Sequence, residues 1–202
     1  NLGLLSLFII TILSLISFYF GSKIYIKNIK IKSNKIKSNI SFVFISDLHM
    51  GSNSIKHLNK LILELKNKSY DFLLIGGDLI DSSSFDVSSL KIIKENISCP
   101  IYFVTGNHEY YLKNSNTKIN EINNFGINHI CNNNIEINNI NLICIDDNLD
   151  KNKQVEIVKN KYSKEKLNLT LIHKPSIWDQ VYNESDLMLS GHTHNGQIFP
   201  FN

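Results

Sequence analysis

Six short apolar runs, separated by stretches with helical spacing, constrain this chain more than any other feature. They cover residues 41–46, 71–76, 100–105, 140–145, 167–172 and 186–190. Apolar runs of this length, bounded by turn residues, read as buried strands. Between them, residues 57–65 place Leu58, Leu61, Ile62 and Leu65 on one helical face, and residues 87–97 do the same with Leu90, Ile93 and Ile97. Weaker helical spacing covers 115–125, 155–162 and 176–182, while 127–137 reads as two short strands about an Asn-rich turn. Strands alternating with helices imply an α/β fold with a mainly parallel sheet and right-handed crossovers.

Polar blocks punctuate the ends of these runs: Asp47-Leu48-His49, Gly77-Asp78-Leu79-Ile80-Asp81, Gly106-Asn107-His108-Glu109, His173, and Gly191-His192-Thr193-His194. In an open α/β sheet such residues converge on one crevice at the carboxyl ends of the strands. Asp47 and His49, two apart, share a face and can reach one ion. Asp78 follows two glycines that allow close backbone approach, and its carboxylate can bridge two ions. Asp81 suits a supporting role, accepting the ring N–H of a histidine, or a helix N-cap. Asn107 offers a compact neutral oxygen. His108 is assigned to the substrate, as proton donor to a leaving oxygen or as a charge stabiliser, with Asp81 fixing its tautomer and raising its pKa. Glu109 is read as a support for the turn. His173 stands on the same edge, and His192 and His194 can serve different ions across a tight turn.

All 21 cationic side chains are Lys, for Arg is absent, as is Ala. No guanidinium fork can clamp a phosphate, which fits a site where metal charge does the neutralising. The excess of Asn, Ile and Lys reads as codon bias, and the Asn clusters at 114–124 and 132–141 are expected to be surface loops. Net charge is +3, with much of the excess between residues 23 and 37, so a general nucleic-acid surface is not implied. Cys99, Cys131 and Cys144 fit no zinc module and no disulfide framework. Buried reduced thiols are expected.

Residues 2–20 are uncharged and apolar, and as a helix they span roughly 28 Å, close to the hydrocarbon thickness. A membrane anchor over residues 1–22 is expected, with Tyr19 and Phe20 at the interface. Residues 23–40 alternate Lys with Ile and Tyr, which reads as a Lys-rich linker and half-exposed edge strand facing water or anionic headgroups. The positive-inside rule then puts the catalytic domain, 41–202, on the cytoplasmic side of a bacterial-type plasma membrane.

Taken in order, D-x-H, G-D-x-x-D, G-N-H-E, H and G-H-T-H resemble the calcineurin-like metallophosphoesterases. The wording of residues 45–49 and 189–197 is similar to the membrane-associated bacterial branch, although Asn195 stands where a Gly is more usual. The resemblance implies a sandwich of largely parallel or mixed sheets flanked by helices. It also implies two divalent ions, Mn, Fe or Zn. The first is held by Asp47, His49, Asp78 and His194, and the second by Asp78, Asn107, His173 and His192. His108 with Asp81 would form the acid dyad, and a hydroxide held between the ions would attack phosphorus. The expected substrate is a phosphodiester, phosphomonoester or pyrophosphate, lipid- or nucleotide-linked. Alternatives are a nuclease, or an inactive membrane-anchored scaffold. The family ordinarily continues past its last His pair, so a shortened second sheet is expected.

Overall fold

The computed structural model describes residues 2–21 and 23–194, without the side chains of 18, 20 and 21. It falls into two compact units, residues 31–192 on one hand and 1–30 with 193–202 on the other.

The larger unit holds eight strands in two sheets. The first sheet is wholly parallel and takes its strands in chain order: β1 (Phe42–Ile45), β2 (Phe72–Gly76), β3 (Ile101–Val104) and β4 (Ile127–His129). The second contains β5 (Asn133–Ile137), β6 (Ile140–Ile145), β7 (Leu167–Ile172) and β8 (Leu187–Leu189). There β5 runs antiparallel to β6, and β6, β7 and β8 are parallel. Phe72, Leu74 and Val104 of the first sheet pack with Leu142, Cys144, Leu169 and Leu171 of the second. On the outer face of the second sheet, Ile143, Ile145 and Ile172 meet Val155 and Val158 of α6 (Lys151–Lys161) and Val181 of α7 (Trp178–Val181). A strand covered on both faces loses its polar alternation, which is why β2, β6 and β7 are buried at every position.

The predicted helix over 57–65 is α2 (Ile55–Leu65), with Leu58, Leu61, Ile62 and Leu65 buried as its spacing requires. The run 87–97 is a 3-10 turn, Val87–Leu90, continued by α3 (Lys91–Asn96). Asp86 caps that turn, its carboxylate accepting from Ser88 N–H at 3.0 Å. α4 (Asn107–Tyr111) is a short helix on the polar block after β3, and α5 (Ser115–Asn124) follows it.

Several expectations are corrected. Residues 127–137 do form two strands, but β4 and β5 lie in different sheets, and the turn between them carries the chain across the sandwich. The true hairpin is β5–β6, turning at Asn138 in a left-handed conformation, φ 52°. The Asn clusters are not simply surface loops. Residues 115–124 are helical, and Asn141 is buried, donating to Asn168 Oδ1 at 2.8 Å. Of the three thiols only Cys144 is buried, whereas Cys131 is exposed.

The expected edge strand within 23–40 is absent, since the described backbone there is irregular with a turn at Asn34 and Lys35. Side-chain anchoring takes the place of ladder pairing over residues 31–40: Ile36 and Ile40 pack on the inter-sheet core, and Lys35 Nζ meets Asp186 at 2.8 Å.

In the smaller unit, α1 (Leu2–Gly21) is one helix whose described apolar side chains are exposed. Uninterrupted described side chains run over residues 2–17, about 24 Å of helix. Among the described residues, no helix is long and apolar enough to cross a membrane. Of the span expected over residues 1–22, residues 2–21 are helical, and residues 1 and 22 lie outside the described residues. The expectations about residues 195–202, Asn195 included, lie outside the described residues.

Candidate metal centre

The polar blocks at the ends of β1, β2, β3, β7 and β8 meet where the two sheets share an edge. The loops after β1 and β2 run side by side, with Asp47 N–H donating to Gly77 O at 3.1 Å, His49 N–H to Asp78 O at 2.9 Å and Met50 N–H to Leu79 O at 2.9 Å. Two bonds join this pair to the second sheet. His173 Nδ1 is 2.9 Å from Gly76 O, and His192 N–H lies 3.1 Å from both oxygens of Asp47.

Asp47, His49, Asp78 and His192 all hold left-handed backbone, with φ between 45° and 69°. A non-glycine residue in that region costs of order 1–3 kcal/mol, and such strain gathers at functional sites. Gly77 shares the strain at φ 89°, and a Cβ there would lie 2.7 Å from both Gly106 N and His173 Nδ1. Only glycine lets the β2 and β3 loops close on each other.

Asp78 is the hub. It is 1% exposed. His108 N–H donates to its Oδ1 at 2.9 Å, and its Oδ2 lies 3.1 Å from His173 Nε2, 3.8 Å from His49 Nε2 and 3.9 Å from His108 Nε2. Burial alone would raise the Asp78 carboxyl, but the His173 ring and the His108 N–H and ring outweigh it and hold it below the ordinary range. Burial likewise lowers His173, yet Asp78 and the Gly76 carbonyl bring it out above the usual imidazole value. The neighbouring His192, with its ring 5.1 Å from that of His173, is pushed down by burial, His173 and Lys174.

The donor set fits a cation. His173 Nδ1 faces the Gly76 carbonyl and carries a ring proton, so Nε2, 3.1 Å from the Asp78 carboxylate, is the ring nitrogen that a metal cation would take in place of a second proton. Neither His173 Nε2 nor Asn107 Oδ1 has a hydrogen-bond partner, although both are buried. Buried acceptors without partners are rare and costly. A positive ion is what two such acceptors beside a carboxylate require. Donor atoms of Asp78, His173 and His192 lie within 4.8 Å of one another, as do those of His49, Asp78 and His108. Imidazole, carboxylate and amide oxygen suit several borderline divalent ions.

Asp81 departs from expectation. Its Oδ2 is 3.4 Å from His49 Nδ1, and its Oδ1 accepts from Ser52 N–H at 2.9 Å. It supports His49 from behind and does not form the expected dyad with His108. The reason lies in the paired loops: Asp81 N–H bonds to Met50 O at 3.2 Å, which fixes its side chain beside the β1 loop. His108 instead stands 40% exposed over Asp78, edge-on to the His49 ring at 4.7 Å and to Tyr111 at 5.9 Å. His194, expected as a ligand, begins the other unit and also has left-handed backbone, φ 51°.

Glu109 matters more than its sequence reading allowed. Fully buried, its carboxylate accepts N–H bonds from Asp78 at 3.0 Å, Gly106 at 2.7 Å and Ile80 at 2.9 Å, clamping the β2 and β3 loops together. Burial pushes its carboxyl up to about 7 against those hydrogen bonds. The available signal was its place three residues after the N-cap Gly106, where a Glu reaches back to the capping N–H.

A family profile described as calcineurin-like phosphoesterase matches residues 40–196. Among curated proteins, the chain is similar to an uncharacterized metallophosphoesterase of Campylobacter jejuni, at 29% identity over 87% of this chain and 50% of that protein. It is similar to another of Helicobacter pylori at 30% identity, over 87% and 50%. A protein of Danio rerio described as a transmembrane protein with metallophosphoesterase domain is 28% identical over 80% of this chain and 41% of its own length. The chain spans about half the length of the first two relatives.

Proposed function

The chain belongs to the calcineurin-like phosphoesterase family, and from that premise we propose that it hydrolyses phosphoester bonds with two divalent cations. Asp47, His49, Asp78 and His194 would hold one, and Asp78, Asn107, His173 and His192 the other. The observation that carries this reading is the pair of buried, partnerless acceptors, Asn107 Oδ1 and His173 Nε2, on the loops that close on Asp78. Bound there, the cations would supply Lewis-acid charge to phosphoryl oxygens and acidify a water at neutral pH.

The chain's own residues do the rest. Asp78 would serve both cations, since its carboxylate lies 3.1 Å from His173 Nε2 and 3.8 Å from His49 Nε2, one ligand of each proposed set. Asp81 keeps the His49 ring turned so that Nε2 faces Asp47 and Asp78. Glu109 fixes the loops that carry Asp78 and Asn107. The half-exposed His108 is placed to meet the substrate, donating a proton to the leaving oxygen. With no Arg in the chain, anion binding falls to the cations, Asn107 and His108.

The substrate class is a phosphodiester, phosphomonoester or pyrophosphate. A membrane-proximal location is part of the proposal, supported by the exposed apolar surface of α1 and by the transmembrane character named for the Danio rerio relative. Fractionation of cells expressing the full chain tests that location, and recovery only in the soluble fraction removes it. The catalytic reading is tested by hydrolysis of a chromogenic phosphodiester after chelation and after return of Mn, Fe or Zn. Turnover restored by one of these ions is expected. Turnover indifferent to chelation, or none with any of the three, contradicts it.

A further inference from the structure

A second group of ligand-type side chains lies where the chain crosses from one sheet to the other. His129 ends β4, Cys131 sits in the crossing turn, and Asp146 follows β6. One donor atom from each falls within 4.8 Å of the other two. His129 Nε2 is 2.9 Å and 3.0 Å from the two oxygens of Asp146. Asp146 is fully buried, its Oδ1 also accepting from Thr105 N–H at 2.8 Å. Asn132 braces the turn from both sides: its Oδ1 accepts from Asp146 N–H at 3.0 Å, and its Nδ2 donates to Cys131 Sγ at 3.5 Å.

We infer that His129, Cys131 and Asp146 form a separate site for one thiophilic divalent cation of the zinc type. A His–Asp strut between the sheets would account for two of these side chains. It leaves unexplained a thiol turned toward the same buried carboxylate. Imidazole, thiolate and carboxylate are the three donor classes zinc accepts, at roughly 2.0–2.3 Å. Donor atoms within 4.8 Å of one another would draw together by about 1 Å at most to the roughly 3–4 Å spacing those lengths require. The charges balance as well. A dication with one thiolate and one carboxylate sums to zero, which a buried position tolerates.

On binding, the proton that His129 Nε2 holds toward Asp146 leaves to solvent together with the Cys131 thiol proton, and His129 coordinates through Nε2 with its one ring proton on Nδ1. Burial and the adjacent Asp146 push the Cys131 thiol up to about 11, so it keeps its proton until a cation displaces it. The exposed position of Cys131 leaves the fourth place open to solvent. The site shares no donor with the Asp78 centre. It ties the end of β4 in the first sheet to the end of β6 in the second, against the Thr105 N–H that precedes Gly106 and Asn107.

The absence of thiols among the proposed ligands of the Asp78 centre makes the two distinguishable. Titration of the full chain with Co(II) should produce a thiolate-to-cobalt charge-transfer band whose final intensity corresponds to one thiolate–cobalt bond per chain, cobalt at the Asp78 centre adding nothing to it. The band should persist in Cys99→Ser and vanish in Cys131→Ser and His129→Gln. In wild type, saturating Zn(II) should slow alkylation of Cys131 by at least about tenfold, because the coordinated thiolate is no longer a free nucleophile. That measurement needs no variant to fold. Absence of the band in wild type, its survival in Cys131→Ser, or unchanged alkylation with Zn(II) overturns the inference.

Discussion

His173 Nε2 and Asp78 Oδ2 lie 3.1 Å apart, buried, with no hydrogen bond to the ring nitrogen. A ring nitrogen and a carboxylate oxygen at that distance need a positive charge between them, a ring proton in the metal-free protein and a cation in the proposed centre. Asp78→Asn removes the anionic member. We expect metal affinity to fall by more than about 100-fold, beyond the 10–100-fold typical of supporting residues, and phosphodiesterase activity to disappear with it. Two ions retained at wild-type affinity would refute the bridging role of Asp78.

His108→Asn should separate chemistry from binding. The His108 ring faces solvent over Asp78 and is no part of the proposed cation cage. kcat should fall by roughly 10²–10⁴-fold, with metal content, measured by elemental analysis, unchanged. Undiminished turnover removes His108 from the reaction.

Asp81→Ala should behave differently, because the carboxylate contacts His49 and not His108. Metal affinity should drop about 10–100-fold, and saturating metal should restore most of kcat. A kcat defect that metal cannot rescue, matching His108→Asn, would instead support the dyad expected from the sequence.

Glu109→Ala leaves the N–H groups of Asp78, Ile80 and Gly106 without their acceptor. Each buried orphan costs about 1–3 kcal/mol, and partial relaxation brings the expected loss to roughly 3 kcal/mol. Urea denaturation measures it. A loss below about 1 kcal/mol would mean that the two loops hold each other without the clamp.

Asp186 supplies a pH signature outside the metal centre. Burial works to raise its carboxyl, but the Lys35 ammonium and the Asn168 N–H outweigh that and lower it. A carboxyl with a depressed folded pKa contributes stability that is fully present above its unfolded value of about 3.9. That contribution is lost as pH falls from there through the folded value. Asp186→Asn should therefore flatten the acid limb of a Tm-against-pH curve below about pH 4. Parallel acid limbs in variant and wild type would show that the ion pair adds nothing.

The sequence made the strands easy to see for a physical reason. β6 and β7 are covered on both faces and buried at every position, and their largely apolar runs, interrupted only by Asn141, Asn168 and Thr170, coincide with 140–145 and 167–172. The division into two sheets was harder to read, because a buried run looks the same in either. Residues 127–137 form the two strands expected about an Asn-rich link, and what their sequence does not announce is that the link crosses from one sheet to the other. The blocks at strand ends were visible because metal-type residues beside glycines recur in one order. Asp81 was assigned the wrong histidine because three residues of spacing say nothing about which neighbouring loop a side chain meets. Glu109 was undervalued because its place three residues after Gly106 signals only the bond within its own turn, and nothing local announces the bonds to Asp78 and Ile80. His129 and Asp146 lie 17 positions apart, with no motif to join them.

The most direct test follows metal content and turnover together. Wild type and Asp78→Asn, both stripped by chelator, are titrated with Mn(II) while bound metal and hydrolysis of a chromogenic phosphodiester are recorded. The account predicts that wild-type turnover rises in step with bound metal and that the variant shows neither. Full turnover by the stripped wild type, or by Asp78→Asn, would contradict it.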